Sequence, residues 1–160
     1  MRPHTLVEFL KEAHIPFTPL HHPATFSAER GAALCHVPGR SWAKTVICVA
    51  DDEPVAAVVP APFRVDLEQL RILSGAVTTR LARQEELAAI CPGCEAGGVS
   101  LFNGQWKPRV FVDRSFVGDP QMTFCAGTHT DEIQLHYGDF AELTRPVVGS
   151  IAIAAGVVQV

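Results

Sequence analysis

A mixed α/β fold is what this sequence predicts: one domain, residues 1–160, with a mixed, mostly antiparallel and partly closed β-sheet and helices packed outside it. Three observations carry that expectation. The chain has 160 residues, the size of one ordinary domain, enough to bury roughly 70% of the surface its unfolded form exposes. Segments of helical period alternate with short β-branched runs, the pattern of layered helix-and-sheet folds. No internal repeat, linker or low-complexity tract divides them. A hydrophobic fraction of 48% with 19% charged residues is that of a folded chain and excludes a disordered one.

Each element has its own signal. Leu6, Phe9, Leu10 and Ala13 recur at helical spacing, and His14-Ile15-Pro16 closes that first helix. A short extended piece, Phe17 to Leu20, leads through His21-His22-Pro23 to a second helix capped by Ser27, with Glu29 complementing its dipole, that stops before Pro38-Gly39. Thr45 to Ala50 and Val55 to Val59 read as buried strands joined by a turn at Asp51-Asp52-Glu53-Pro54. Asp66 and Gln69 form a capping-box pattern that opens a helix through Leu67, Leu70 and Leu73, ended by Ser74-Gly75. A further helix covers Gln84 to Ile90. Glu95 to Ser100 is glycine-rich and lies between helix and strand, where backbone amides are left pointing at a ligand. Strands are expected at Val110 to Asp113, Thr123 to Cys125 and Glu132 to His136, then a short helix capped by Asp139 and Glu142. The apolar run Val147 to Val160 is either a final core strand or part of a dimer contact.

Charge and targeting signals bound the function. The formal net charge is −4, so the overall field does not draw in a polyanion, and duplex-gripping DNA binding is not expected. Any RNA contact is local; Arg40, Lys44, Arg64, Arg80, Arg83, Lys107, Arg109 and Arg114 are its candidates, against a reading as scattered surface charge. The N-terminus carries no apolar signal segment, and the C-terminal run is shorter than the ~20 residues a bilayer span needs. A cytoplasmic protein with no membrane partner is expected. Five cysteines, Cys35, Cys48, Cys91, Cys94 and Cys125, fit reduced thiols better than a disulfide framework. Cys91-Pro-Gly-Cys94 has the spacing of a zinc half-site or redox pair, but no second ligand pair accompanies it. No metal or cofactor is therefore expected, and a redox or zinc protein stays as the outlying reading.

Read in order, His22-Pro23-Ala24-Thr25-Phe26-Ser27-Ala28-Glu29, Ala43-Lys44-Thr45-Val46, Val58-Val59-Pro60, Arg64-Val65-Asp66-Leu67, Glu95 to Phe102 and Cys125-Ala126-Gly127 to about Leu143 resemble the YbaK / prolyl-tRNA editing family, which includes the prolyl-tRNA synthetase associated domain. The resemblance implies the fold of that family and a metal-independent aminoacyl-tRNA deacylase, a hydrolase that cleaves the ester joining a wrong amino acid to the tRNA 3′ end. It implies trans-editing, of tRNA-Pro or a similar tRNA carrying a small amino acid, with the aminoacyl-tRNA 3′ end and an aminoacyl-tRNA synthetase as partners. The family's lysine falls on Lys44, its glycine loop on Gly97 to Leu101, its Ser-Ala-Gly segment on Cys125 to Gly127, and an aspartate on Glu132. Leu101 stands in place of the loop proline, Cys125 of serine and Glu132 of aspartate, each at the rim of the expected pocket. The amino acid removed is thereby left open, because pocket shape and donors select the acyl group.

Ester hydrolysis needs an oriented water and donors for the oxyanion, each donor worth about 3–4 kcal/mol. Gly97 and Gly98 let the backbone approach closely; their N–H groups are assigned to the carbonyl oxygen or to the attacking water. Lys44 supplies an ammonium for the terminal phosphate, the ribose or the carbonyl, or a base if its proton is loosened. Catalytic roles thus fall on Lys44, Gly97 and Gly98, and substrate contacts on His22, Thr25, Ser100, Cys125, Gly127 and Glu132. Cys125 shapes the pocket or is a buried strand cysteine; pairing with His129 as a nucleophile is the minor alternative. Cys125-Ala-Gly-Thr-His129 also matches the zinc half-site of the alanyl-tRNA editing family, but no HxxxH accompanies it. Trp42 and Trp106 are either stacking platforms for the terminal adenine or core residues. A non-catalytic module that binds aminoacyl-tRNA or a synthetase is the alternative function.

Overall fold

The computed structural model describes residues 6–21, 33, 38–90, 101, 107–125 and 131–154. Helix α1 (Leu6–Glu12) is followed by β1 (Thr18–His21), and the turn between them runs through His14 in the left-handed region at φ 57°. A 3₁₀ turn (Gly39–Ser41) delivers the chain into β2 (Trp42–Ala50), which pairs along its length with β3 (Glu53–Pro60). The loop between them is shorter than the four residues expected: only Asp51 and Asp52 turn, at φ 47° and 70°. Positive φ at both central residues is what a tight hairpin matched to strand twist requires, and aspartate tolerates it. Asp51 N donates to Thr78 O, and the Asp51 carboxylate accepts from Val77 N and Thr78 N at 2.9 Å each.

Glu53 and Pro54 therefore belong to β3. With Ala50 and Glu53 closing the hairpin, hydrogen-bonded pairs alternate along the ladder, so Pro54 (opposite Val49) and Pro60 (opposite Ala43) both fall where β2 needs no N–H. Strand β4 (Phe63–Val65) leads into α2 (Leu67–Ser74). Its Asp66 cap accepts from Gln69 N at 3.1 Å, and Gly75 ends it at φ 75°, as the capping signals predict. Strand β5 (Thr79–Leu81), too short to signal itself, precedes α3 (Gln84–Ile90).

The remaining described elements are β6 (Val110–Asp113), a 3₁₀ turn (Arg114–Phe116), β7 (Met122–Cys125), β8 (Asp131–Leu135), α4 (Tyr137–Thr144), β9 (Val147–Gly149) and β10 (Ala152–Ala154). Strand β8 ends one residue earlier than expected because His136 leaves the ladder to cap α4. Its Nδ1 accepts from Gly138 N at 3.1 Å, in place of the cap expected from Asp139 and Glu142. Asp139 instead sits in the first turn, where a negative charge complements the dipole. Within the described part of the apolar C-terminal run, β9 and β10 join different sheets.

Sheet order is β1-β8-β7-β2-β3-β6-β9, with β5 beside β2 and a separate β10-β4 ribbon. The β2/β7, β3/β6 and β6/β9 pairs are parallel and the others antiparallel. One edge of β2 is shared, Trp42 and Ala43 pairing with β7 and Cys48 to Ala50 with β5.

Because strand residues alternate between faces, the register separates two cores. Ala43, Ile47, Ala56, Val58, Val110, Val112, Phe124 and Ile133 point to one face, where Leu10, Leu87, Tyr137 and Phe140 from three helices cover them. The Phe124 and Phe140 rings lie 5.8 Å apart there. Cys48, Val55, Ala57, Val59 and Phe111 point to the other, under Leu70 of α2, Val65 of β4 and Ile151.

Asp113 ties this second side together. Its Oδ1 accepts from Ile151 N and Ala152 N at 3.0 Å each, and its Oδ2 from Ser115 N at 3.1 Å and Ser115 Oγ at 2.6 Å. Ile151 O in turn accepts from Asp66 N at 2.7 Å, which links the α2 cap to the same junction.

Candidate active site

The second core covers β3, β6 and part of β2, and among the described residues none of β1, β7 or β8 belongs to it. On that part of the same face the register brings polar side chains together. Trp42, Thr123, Gln134 and Thr18 occupy matched positions on β2, β7, β8 and β1. Two residues along each strand, hence on the same face, are Lys44, Cys125, Glu132 and Leu20, with Cys125 opposite Glu132 and Glu132 opposite Leu20. Lys44 lies one residue past Ala43, the last β2 position paired with β7, and so at the level of Cys125.

Lys44 is half-buried opposite Val59, at the boundary between the apolar core of this face and the polar row. Glu132 is 5% exposed, and its Oε2 is shielded from solvent. Polar groups at such positions feel a lower effective dielectric than surface groups, so their hydrogen bonds to a polar ligand are stronger. In the adjoining row Gln134 Nε2 donates to Thr123 Oγ1 at 3.1 Å, and that hydroxyl donates to Gln121 O at 3.4 Å. Thr123 is fully buried.

Three sequence-predicted site residues, Lys44, Cys125 and Glu132, thus meet on neighbouring strands, Cys125 being placed by its backbone register. His22, Thr25, Gly97, Gly98, Ser100 and Gly127 lie outside the described residues, as do His129, Trp106, Cys35, Cys91, Cys94 and the Ser27-capped helix except for Ala33. Trp42 is 3% exposed, which favours its reading as a packed residue over an open stacking platform. Leu101, expected at the pocket rim, is buried with the helix-covered core, the side of the sheet away from Lys44.

Two candidate basic contacts are engaged by acids. Arg80 makes a paired contact with Glu86 at 2.7 and 3.0 Å. Arg109 lies over the Phe111 ring at 5.1 Å and 3.8 Å from Glu53. Arg40, Arg64, Arg83, Lys107 and Arg114 are exposed. Cys48 is a buried free thiol whose pKa burial pushes up to about 12, so it is a core residue and not a nucleophile. Among the described residues no helix is long and apolar enough to cross a membrane.

Thr123, Gln134 and Thr18 had no signal of their own in the sequence. Their spacing from Cys125, Glu132 and Leu20 gives the same strand face only once the β7/β8/β1 pairing is known. The sequence marks Asp113 only as the end of a strand.

A family model for the aminoacyl-tRNA editing domain matches residues 22–143, a span that includes Lys44, Cys125 and Glu132. The chain belongs to this family. A proline–tRNA ligase of Nitratidesulfovibrio vulgaris is 34% identical to this editing domain over 118 residues, covering 71% of this chain and 20% of the ligase. A second, from Anaeromyxobacter sp. (strain K), is 32% identical over 99 residues, 62% of this chain and 17% of that enzyme. The editing domain therefore spans about a fifth of each ligase. Among solved structures, hypothetical protein APE2540 superposes with a TM-score of 0.84 at 22% identity, covering 94% of this chain and all of that one. A proposed trans-editing enzyme for prolyl-tRNA synthetase superposes at 0.77 and 21% identity, covering 91% of this chain and 92% of that one. These structures share the fold of the editing domain.

Proposed function

We propose that this editing domain hydrolyses the ester of mischarged aminoacyl-tRNA in trans, acting on tRNA-Pro or a similar tRNA carrying a small amino acid. The observation that carries the reading is that Lys44 of β2 and Glu132 of β8 share one sheet face at the same level, on either side of the intervening strand β7. The ammonium of Lys44 holds the terminal phosphate, the ribose or the ester carbonyl. The carboxylate of Glu132 is the counterpart for the free α-ammonium that every aminoacyl ester carries, a charge-assisted contact stronger than a neutral one. The amides of Gly97 and Gly98 stabilise the oxyanion or orient the attacking water, which adds to the carbonyl carbon as the ribose oxygen departs. His22, Thr25, Ser100 and Gly127 complete the substrate contacts, and no metal takes part.

The replacements at Leu101, Cys125 and Glu132 favour a second reading, a module that binds aminoacyl-tRNA or a synthetase without turnover. Release of amino acid from a panel of aminoacyl-tRNAs, with tRNA-Pro charged with alanine, cysteine and serine among them, separates the two. Turnover above the spontaneous rate supports the hydrolase; retention on a filter without release supports the binding module.

A further inference from the structure

Beyond the polar row, a groove of about 520 Å³ opens at the C-terminal end of β8, between the α1–β1 connection and the segment entering β7. Phe17 and Pro120 give it apolar walls, and Thr18, Gln121, Gln134 and Asp139 line it with polar groups. We propose that this groove holds a nucleobase of the substrate, the one preceding the acylated adenosine; this rests on the reading of the chain as an aminoacyl-tRNA hydrolase.

Position, hydrogen bonding and charge each support the assignment. Gln134 lies two residues from Glu132 on the same strand face, about 7 Å along β8, so the groove adjoins the site assigned to the acylated end. The Gln134 amide is held in place by its bond to Thr123, itself anchored on Gln121 O. Its carbonyl oxygen and second N–H are thereby presented as an adjacent acceptor and donor, the pair with which a glutamine reads a base edge. The walls supply apolar surface for a flat ring, and stacking of this kind is worth about 1–3 kcal/mol per base. Among the described residues no lysine or arginine lines the groove, and Asp139 does. A phosphate is disfavoured there and an uncharged base is not, so binding in the groove depends weakly on salt.

Titration of the isotope-labelled chain with the trinucleotide CCA, the common tRNA terminus, reads the groove directly by NMR. The side-chain amide signals of Gln121 and Gln134 shift if the base lodges there, at a midpoint that changes little between low and moderate salt. Absence of those shifts, or equally tight binding of free cytidine monophosphate, overturns the proposal. In deacylation, Gln134→Leu and Gln121→Ala raise KM for aminoacyl-tRNA about ten-fold with kcat retained, and Gln121→Ala leaves hydrolysis of aminoacyl-adenosine, which lacks the preceding nucleotide, unchanged. Equal losses on both substrates overturn it. Gln121→Ala spares the Thr123 acceptor, which is a backbone oxygen, and so serves if Gln134→Leu does not fold. A wild type that releases no amino acid refutes the hydrolase reading, whereas the trinucleotide titration still decides the groove.

Discussion

Replacing Asp113 by alanine removes the acceptor for four hydrogen bonds at one junction. The buried Ile151 N–H is orphaned at a cost of about 1–3 kcal/mol, and the partly buried Ala152 N–H adds a smaller amount. Loss of the acceptor at the 3₁₀ turn contributes about 1 kcal/mol more. The desolvation no longer required of the carboxylate offsets part of this. A net destabilisation of about 3 kcal/mol is expected, which for a chain of this size lowers Tm by roughly 6–12 °C. Urea unfolding followed by circular dichroism measures it as a lowered midpoint at constant slope. Asp113→Asn keeps an acceptor for Ile151 and Ala152 but turns an NH₂ toward the Ser115 donors, so a loss smaller than that of alanine is expected. A change below about 0.5 kcal/mol for Asp113→Ala, the range of an unremarkable surface substitution, would refute the assignment of Asp113 as the clasp of this side of the sheet.

Two other predictions concern titratable groups. Hydrogen bonds from Arg80 and then from the Arg83 N–H lower the Glu86 pKa from 4.5 to about 2. Its contribution to stability is thus fully present above the unfolded value and is lost as pH falls through about 2. Glu86→Gln should lower stability on the neutral side, flatten its fall between those limits and converge on the wild type in strong acid; an unchanged pH dependence would contradict the pairing. Burial raises the Cys48 thiol to about 12, so peptide mapping after iodoacetamide treatment at pH 8 should find Cys48 unmodified in the folded chain and modified in urea. Rapid labelling without denaturant would contradict its place in the core.

Much of the fold was legible because local signals were strong. Asp66, Gln69 and Gly75 announced α2 through capping chemistry, and the β-branched runs announced β2 and β3. The errors have local causes. The Asp51-Asp52 turn is tighter than four residues because both aspartates accept positive φ, and both strand prolines fall at positions that need no N–H toward β2. His136 took the capping role expected of Asp139 because an imidazole nitrogen is as serviceable an acceptor there as a carboxylate. For the candidate site, the family pattern points to Lys44, Cys125 and Glu132 one by one, without saying that they share a strand face. Their meeting depends on β2 pairing parallel with β7, a long-range contact with no local signature. Thr123, Gln134 and Thr18 were missed for the same reason.

The most direct test of the account is deacylation of mischarged tRNA-Pro by wild type and by Lys44→Ala, with folding of the variant verified by its unfolding midpoint. Release of amino acid by the wild type and a loss of ~100-fold or more in the variant, the scale of removing one group that stabilises the transition state, is the predicted result. Equal turnover by both proteins, or turnover by neither, would contradict it.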